Sequence, residues 1–529
     1  MDDTQDIDSL KGVRVLVAGL GTSGLSAIEV LHELGAHVVG ADADPGATER
    51  VTVPRGVQLI ASADPEELAE RACATDPAIV VTSPGLRPTT PLLERALAEG
   101  AEVWSEVELA WRICRPEVSW LTLTGTNGKT TTVGMLASIL AAGGLRAPAV
   151  GNVGTPIAAT VLNARCGWPR LDALAVELSS FQLHFTHSVS PVASACLNIA
   201  EDHIDWHGSF EAYTRDKARV YARTRRACVY SVADRATRDM VAEAEVLEGA
   251  LAVGFTVGAP AVGQVGVVED SLLDRAFIPD RHTHAEPLAS LADLAHLARG
   301  PLPAHIVANA LAAAALARSY GVEPDAVARG LRSYTGGGHR IELVATIDGV
   351  AWVDDSKATN AHAASASLAS VDAGRAVWVA GGLAKGARFD DLVRRRRDRL
   401  RAVVVIGVDP EPIVDALERH APEVPRVVVG AGDTGDVMRN AVDAAATYAR
   451  PGDTVLLAPA CASMDQFRSY AHRGDAFAAA VAERAARAAR AARVALAGPV
   501  AQVARNVDGA PGADGVELHE VRKAAKRAR

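Results

Sequence analysis

Lys129 closes the run Gly125-Thr126-Asn127-Gly128-Lys129-Thr130, in which two glycines flank a short polar turn. Glycine there removes the side chains that would keep a polyphosphate off the backbone N–H groups. A lysine at this place reaches outer phosphates, and the hydroxyl of Thr130 faces a magnesium ion. Leu123 stands where the usual G-x-x-x-x-G-K-[ST] pattern has its first glycine. The competing reading is an ordinary glycine turn ahead of a helix, but the surrounding strand, loop and helix favour phosphate binding.

Other chemistry-bearing residues follow further strands. Glu177 ends Leu174-Ala175-Val176-Glu177, where a carboxylate is placed to bind a cation on the nucleotide, although such a glutamate is more often merely solvated. Ala195-Cys196-Leu197-Asn198-Ile199 empties into Glu201-Asp202-His203-Ile204-Asp205, which adds oxygen and nitrogen donors at the same sheet edge; magnesium needs few of them. His203 serves equally well as a helix-capping or surface histidine. Lys217, with Arg215, Asp216 and Arg219 around it, looks on its own like a solvated charged face.

The elements that position these groups are legible from periodicity. Thr122-Leu123-Thr124 and its neighbours alternate as a strand, and an apolar helical run occupies about Thr130 to Leu140. Upstream, Val13–Ala18 is a buried-strand run followed by Gly19-Leu20-Gly21-Thr22-Ser23-Gly24, a helix, and a second strand ending at Asp42. That is the G-x-G-x-x-G fingerprint with its acidic residue, which suits NAD or any nucleotide diphosphate at a helix start; glycines serving only close packing are the bland alternative. Ser83-Pro84-Gly85 follows a strand at Ala78–Thr82, and Gly151-Asn152-Val153-Gly154 is another glycine-flanked turn.

Residues 258–300 suggest peripheral strands and loops, Ala304–Tyr320 an alanine-rich helix carrying Asn309, and Gly336–Arg340 a joint. Beyond it, strands empty into Asp354-Asp355-Ser356-Lys357-Ala358-Thr359-Asn360, into Gly381-Gly382-Leu383-Ala384-Lys385-Gly386, and into Ala458–Phe467. Three polar clusters on one edge of a parallel sheet are hard to explain by packing alone.

Composition bounds the class. A chain of 529 residues is too long for one core and suggests about three domains. The net charge of −10 is mixed in sign, which argues against nucleic acid as the main partner. The six cysteines show no C-x-x-C spacing and suit a reducing cytosol. No signal peptide and no apolar run of roughly 18 residues is present. A cytoplasmic protein without membrane insertion is expected. The fold expected is α/β in three domains. A Rossmann-like N-terminal domain spans 1–116, a central P-loop-type ATP-binding domain 117–337 and a Rossmann-like C-terminal domain 338–488, with an Ala/Arg-rich, disordered tail at 489–529.

Taken in order, Gly125–Thr130, Glu177-Leu178-Ser179-Ser180-Phe181-Gln182-Leu183, Asp355–Asn360 and Ala460-Cys461-Ala462-Ser463 resemble the Mur ligases of peptidoglycan assembly, over roughly residues 12–480. The D-D-Y-x-H-H-P and D-N-P-R signatures of the L-alanine and diamino-acid ligases are missing, so the resemblance implies D-glutamate joined to UDP-N-acetylmuramoyl-L-alanine, with ATP and Mg2+.

It places Thr22, Ser23, Asp42, Ser83 and Gly85 near UDP, and Asn152, Ser179, Gln182 and His203 along the muramoyl-alanine arm. It gives Gly125, Thr126, Asn127, Gly128, Lys129, Thr130, Thr131, Asn309, Arg340 and Asp355 to ATP, and Thr359, Lys385, Ser463 and Tyr470 to D-glutamate. Thr130, Glu177, His203 and a carbamylated Lys217 would serve the metal, and Lys129, His203 and Lys217 the chemistry. A monomer is expected. Ala43 and Ile306 depart from the family pattern, the first at a uracil contact and the second at an ATP contact. The alternatives are a ligase for another amino acid, an NAD-dependent dehydrogenase, or a non-catalytic UDP-sugar-binding or scaffold protein.

Overall fold

The structure is a computed structural model that describes residues 7–508 apart from 167–169, 299–301, 337–340 and 431. Three sheets organise it. The first takes β1 (Arg14–Ala18), β2 (His37–Asp42), β3 (Gln58–Ala61), β4 (Ile79–Thr82) and β5 (Glu102–Ser105), all parallel, in the order β3-β2-β1-β4-β5. The order reverses between β1 and β4. At such a point the connecting helices leave on opposite faces and open a crevice at the strands' carboxyl ends. The Gly19 turn and the Ser83 loop both emerge there, ahead of helix α1 (Thr22–Glu33) in the first case.

The second sheet has nine strands: β6 (Ser119–Thr124), β7 (Ala149–Gly151), β8 (Ala173–Glu177), β9 (Ala193–Cys196), β10 (Ala227–Ser231), β11 (Leu251–Phe255), β12 (Gln264–Val268), β13 (Ser271–Asp274) and β14 (Glu286–Ser290). Their order is β14-β13-β12-β11-β10-β9-β6-β8-β7. The strands from β7 to β12 in that order run parallel, β13 pairs antiparallel with both β12 and β14, and 258–300 holds peripheral strands and loops as expected. β6 is buried on both faces, apolar at Leu121 and Leu123, and the hydroxyl of Thr124 donates inward to the Leu178 carbonyl (2.7 Å). α2 (Lys129–Ala142) follows it across the Gly125–Gly128 loop.

The helices that matter for the site are α3 (Ser180–His184), α4 (Ile204–His207), α5 (Phe210–Ala218) and α6 (Ala304–Tyr320). The first two sheets share one apolar cluster, in which Val15, Ile28 and Trp104 meet Trp120, Val150 and Leu174. They form one compact unit, Met1–Gly337.

The second unit, Gly338–Arg529, holds β15 (Glu342–Ile347), β16 (Val350–Asp354), β17 (Ala376–Gly381), β18 (Leu400–Ile406), β19 (Arg426–Val428) and β20 (Thr454–Leu457). They are ordered β15-β16-β20-β17-β18-β19 and are parallel except for the β15–β16 hairpin. Helix α7 (Tyr470–Asp508) closes the described chain, and its end reaches into the Ala/Arg-rich stretch expected to be a frayed helix and a disordered tail. Its first turns pack Phe477, Ala480 and Val481 into the core of this unit. Among the described residues no helix is long and apolar enough to cross a membrane.

Candidate active site

The loop after β6 is shaped by what surrounds it. Gly128 has φ +85°, and a Cβ on it would overlap the side-chain oxygen of Asn309, which α6 holds buried against the loop. Thr126 Oγ donates to the Ala200 carbonyl (3.1 Å), accepts from Ala200 N (2.9 Å) and lies 2.8 Å from the Tyr213 hydroxyl. Asn198 completes the frame. Its Oδ1 accepts from Asn127 N at 2.9 Å and its Nδ2 donates to Asn127 O at 3.0 Å. The exit of β9 therefore fixes the loop, a role for Asn198 that only its place after a strand could have suggested.

Two lysines meet beneath this loop. Lys129 Nζ donates to the carbonyls of Gly125 (2.8 Å) and Thr126 (2.9 Å). Lys217 Nζ donates to Gly125 O (2.8 Å) and Thr124 Oγ (3.2 Å) and sits 4.9 Å from the centre of the Tyr213 ring. Lys217 is only 2% exposed, which corrects the expectation of a solvated charged face. α5 turns Tyr213, Asp216 and Lys217 inward and leaves Arg219 half out. Burial, and after it the charge of Lys129, push the Lys217 ammonium down to about 7, so a large share of it is neutral amine at neutral pH.

Asp216, beside it, is anchored differently. Burial alone would raise its carboxyl, but His184 Nδ1 and His207 Nδ1 both donate to its Oδ2 at 2.9 Å and hold it at about 2. The other nitrogen of His207 lies 2.9 Å from Ser180 Oγ, at the start of α3. A chain of hydrogen bonds thus ties α5 to the end of β8. Neither histidine stood out in the sequence, because a buried histidine leaves no spacing signal.

Glu177 ends β8, in register with Leu123 of β6 and Gly151 of β7, and is 1% exposed. Its Oε1 accepts from Asn152 Nδ2 at 3.0 Å, while its Oε2 is buried with no hydrogen-bond partner among the described residues. A buried carboxylate oxygen without a donor is costly, and a hard cation relieves that cost. No group of three or more His, Cys, Asp or Glu among the described residues forms a closed metal cage. An ion that takes most of its ligands from phosphate and water, as magnesium does, fits one carboxylate of this kind.

His203 adopts φ +53°, uncommon for a residue with a Cβ, with its ring 4.7 Å edge-on from Phe181 and its Nε2 3.6 Å from Asp202. Ser179 and Gln182 form a capping box at the start of α3: Gln182 N donates to Ser179 Oγ (3.2 Å) and Ser179 N to Gln182 Oε1 (2.9 Å). Their orientation is set by that helix start. Ile306 packs partly buried against the central core.

On the first sheet, Gly24 is required because a Cβ there would collide with the Gly19 carbonyl, and Ser83 Oγ donates to the same carbonyl at 3.1 Å. Asp42 braces the turn: Oδ2 accepts from Leu20 N (2.7 Å) and Oδ1 from Asp44 N (2.9 Å). Thr22 and Ser23 open α1, and Ser23 hydrogen-bonds the buried Glu106, whose carboxyl burial pushes up.

In the second unit the expected residues gather on one sheet edge. Thr359 follows β16, Lys385 follows β17 with φ +52°, and Ser463 follows β20; Tyr470 begins α7. Asp355 is buried, accepting from Ser367 Oγ and from Ile341 N (3.3 Å). Arg340 lies outside the described residues.

The chain matches the Mur ligase MurD-like N-terminal domain over residues 13–105, the Mur ligase middle domain over 123–317 and the glutamate ligase domain of Mur ligases over 339–461. It is 52% identical over 480 residues to the UDP-N-acetylmuramoylalanine–D-glutamate ligase of Streptomyces coelicolor, covering 89% of this chain and 98% of that one. The enzyme of the same name from Thermobifida fusca is 50% identical over 470 residues, with the same shares covered. Among solved structures, UDP-N-acetylmuramate-alanine ligase from Thermotoga maritima superposes with a TM-score of 0.51 at 18% identity, covering 89% of this chain and 99% of that one. E. coli FolC in complex with DHPP and ADP gives 0.50 at 19%, covering 72% and 93%. At such identities these two speak for the fold.

Proposed function

The chain belongs to the Mur ligase family, and we propose that it joins D-glutamate to UDP-N-acetylmuramoyl-L-alanine with ATP as the activating reagent. A carboxylate is a poor electrophile in water, so it must first be phosphorylated. The terminal carboxylate of the alanyl arm attacks the γ-phosphorus, ADP leaves, and the acyl phosphate is then opened by the D-glutamate amine with loss of phosphate.

The first step brings two anions together. Its barrier is lowered by the positive charge of Lys129 and of a bound cation, and the reading is carried by Lys129 on the loop carbonyls of Gly125 and Thr126 together with the buried oxygen of Glu177 that has no hydrogen-bond partner among the described residues. Lys129 would leave its two loop carbonyls to meet the outer phosphates. Gly125, Thr126, Asn127, Gly128, Thr130 and Thr131 would supply backbone and hydroxyl groups around them, with Asn309 alongside. Glu177, Thr130 and His203 would hold magnesium, which when bound supplies charge to the phosphates. Lys217, as a neutral amine, can combine with carbon dioxide to give a carbamate, exchanging a cation for an anion in reach of that metal.

The Gly19 turn and Ser83 loop, at the strand-order reversal of the first sheet, would take the UDP end, and Asn152 the arm. D-Glutamate is assigned to the Thr359, Lys385, Ser463 and Tyr470 edge. The choice of this amino acid is supported by relatives near 50% identity that bear the name of the D-glutamate ligase. A cytoplasmic location agrees with these substrates.

The test is phosphate release. It should need ATP, Mg2+, UDP-N-acetylmuramoyl-L-alanine and D-glutamate together. Equal release with L-alanine or a diamino acid in place of D-glutamate would reassign the substrate, and none with any amino acid would remove the ligase reading.

A further inference from the structure

Arg473 is 0% exposed, in the first turn of α7, and among the described residues it makes no hydrogen bond to a carboxylate. Its donors go to neutral oxygens on two different loops. Nε donates to Ser356 Oγ (3.0 Å) and Nη2 to Ser356 O (2.9 Å), after β16. Nη1 donates to Cys461 O (3.1 Å) and Ala462 O (3.4 Å), after β20.

The third loop is tied in through the second. Leu383 N donates to Ala462 O (2.9 Å) and Ala462 N to Leu383 O (3.1 Å), forming an isolated bridge. A Cβ on Gly382 would stand 3.2 Å from Arg473 Nη1 and would overlap Ala462 O, so a glycine is required for this approach. Ser356 Oγ donates to Tyr470 O (2.8 Å), which fastens the start of α7 to the same knot.

The four residues assigned to D-glutamate hang from these anchors. Thr359 lies three residues beyond Ser356, Lys385 two beyond Leu383, Ser463 one beyond Ala462, and Tyr470 three before Arg473. Burying a guanidinium without a directly bonded anion carries a desolvation penalty that a neutral amide bridging the same carbonyls would not. What a guanidinium adds is a rigid fork able to span two loops, and a fixed positive charge under a site that takes an anionic amino acid.

We propose that Arg473 is the positioning residue of the amino-acid site, setting the three loops that receive D-glutamate and touching no substrate itself. This rests on the D-glutamate reading above. Arg473 stays charged at neutral pH, since burial lowers it only to about 10.

The full-length chain and its R473K and R473A variants are compared in phosphate release, with KM measured for each of the three substrates and melting temperature alongside. R473K keeps the charge and loses the fork, so KM for D-glutamate should rise at least tenfold while KM for ATP and for the UDP substrate stays within about twofold. In R473A, added guanidinium ion should lower the D-glutamate KM and methylammonium should not.

An unchanged D-glutamate KM in R473K overturns the proposal. So does a parallel rise in all three KM values with a collapsed melting temperature, or equal rescue by both cations. Should R473A fail to fold, R473K alone decides the matter through its KM pattern. If the unmodified chain releases phosphate without regard to D-glutamate, the functional reading fails instead, and the two failures are distinguishable.

Discussion

Lys129 and Lys217 donate to one and the same oxygen, the carbonyl of Gly125, each at 2.8 Å. Two ammonium groups on one acceptor repel each other, and the more deeply buried of the two gives up its proton more readily. Lys217, ordinarily at 10.5, falls to about 7. The unfolded chain therefore holds that proton more tightly than the folded one. The penalty is full below about pH 7 and is relieved as pH rises toward 10.5. Lys217→Met should accordingly gain most in stability over the unmodified chain near pH 6 and lose that advantage toward pH 10. Melting curves across the range check it; a difference independent of pH would contradict the burial argument.

The same neutral amine should accept carbon dioxide. In 13C-labelled bicarbonate the protein is expected to show a carbamate carbon resonance that Lys217→Arg lacks, and ligase activity should fall when carbon dioxide is stripped from the buffer. A resonance that persists in the Arg variant would place the carbamate elsewhere.

Lys129→Ala removes a cation aimed at the transferring phosphoryl group. By comparison with the loss of single electrostatic donors, it should cost about 2–4 kcal/mol of transition-state stabilisation, a fall of about 10²–10³ in rate. The melting temperature should hardly move. Single-turnover phosphate release is the measurement, and a near-normal rate sinks the assignment.

Glu177→Gln keeps the hydrogen bond with Asn152 geometrically feasible but replaces the unpartnered carboxylate oxygen. The magnesium concentration for half-maximal activity should shift upward by tenfold or more, and Mg2+-dependent thermal stabilisation in the presence of ADP should weaken. An unaltered magnesium dependence on both readouts would free Glu177 of any role toward the ion.

Gly128→Ala meets two obstacles at once: a backbone at φ +85° and the side-chain oxygen of Asn309. ADP binding measured by calorimetry should drop at least tenfold, with the double variant Gly128→Ala/Asn309→Ala recovering only part, because the backbone strain remains. Full recovery would show that the clash alone matters.

Much of this protein was readable as sequence. Strand, glycine turn and helix around Lys129 are local patterns, fixed by alternation, by the freedom of glycine and by helix start chemistry, so they need no knowledge of distant residues. The same holds for the Gly19–Gly24 turn and for the three polar clusters after β16, β17 and β20. What the sequence could not supply is which face of a helix is covered. Lys217, Asp216 and Arg219 look alike on a charged stretch, yet folding buries the first two and leaves the third half out, because α5 packs against α3 and the loop after β6. The partners that make those burials tolerable, His184 and His207 for Asp216, Gly125 for Lys217, Ser356 and Cys461 for Arg473, are 9 to 117 residues away in the chain. Local patterns are written in neighbouring residues, whereas burial and the pairing of charge depend on contacts that form only once the sheets have assembled.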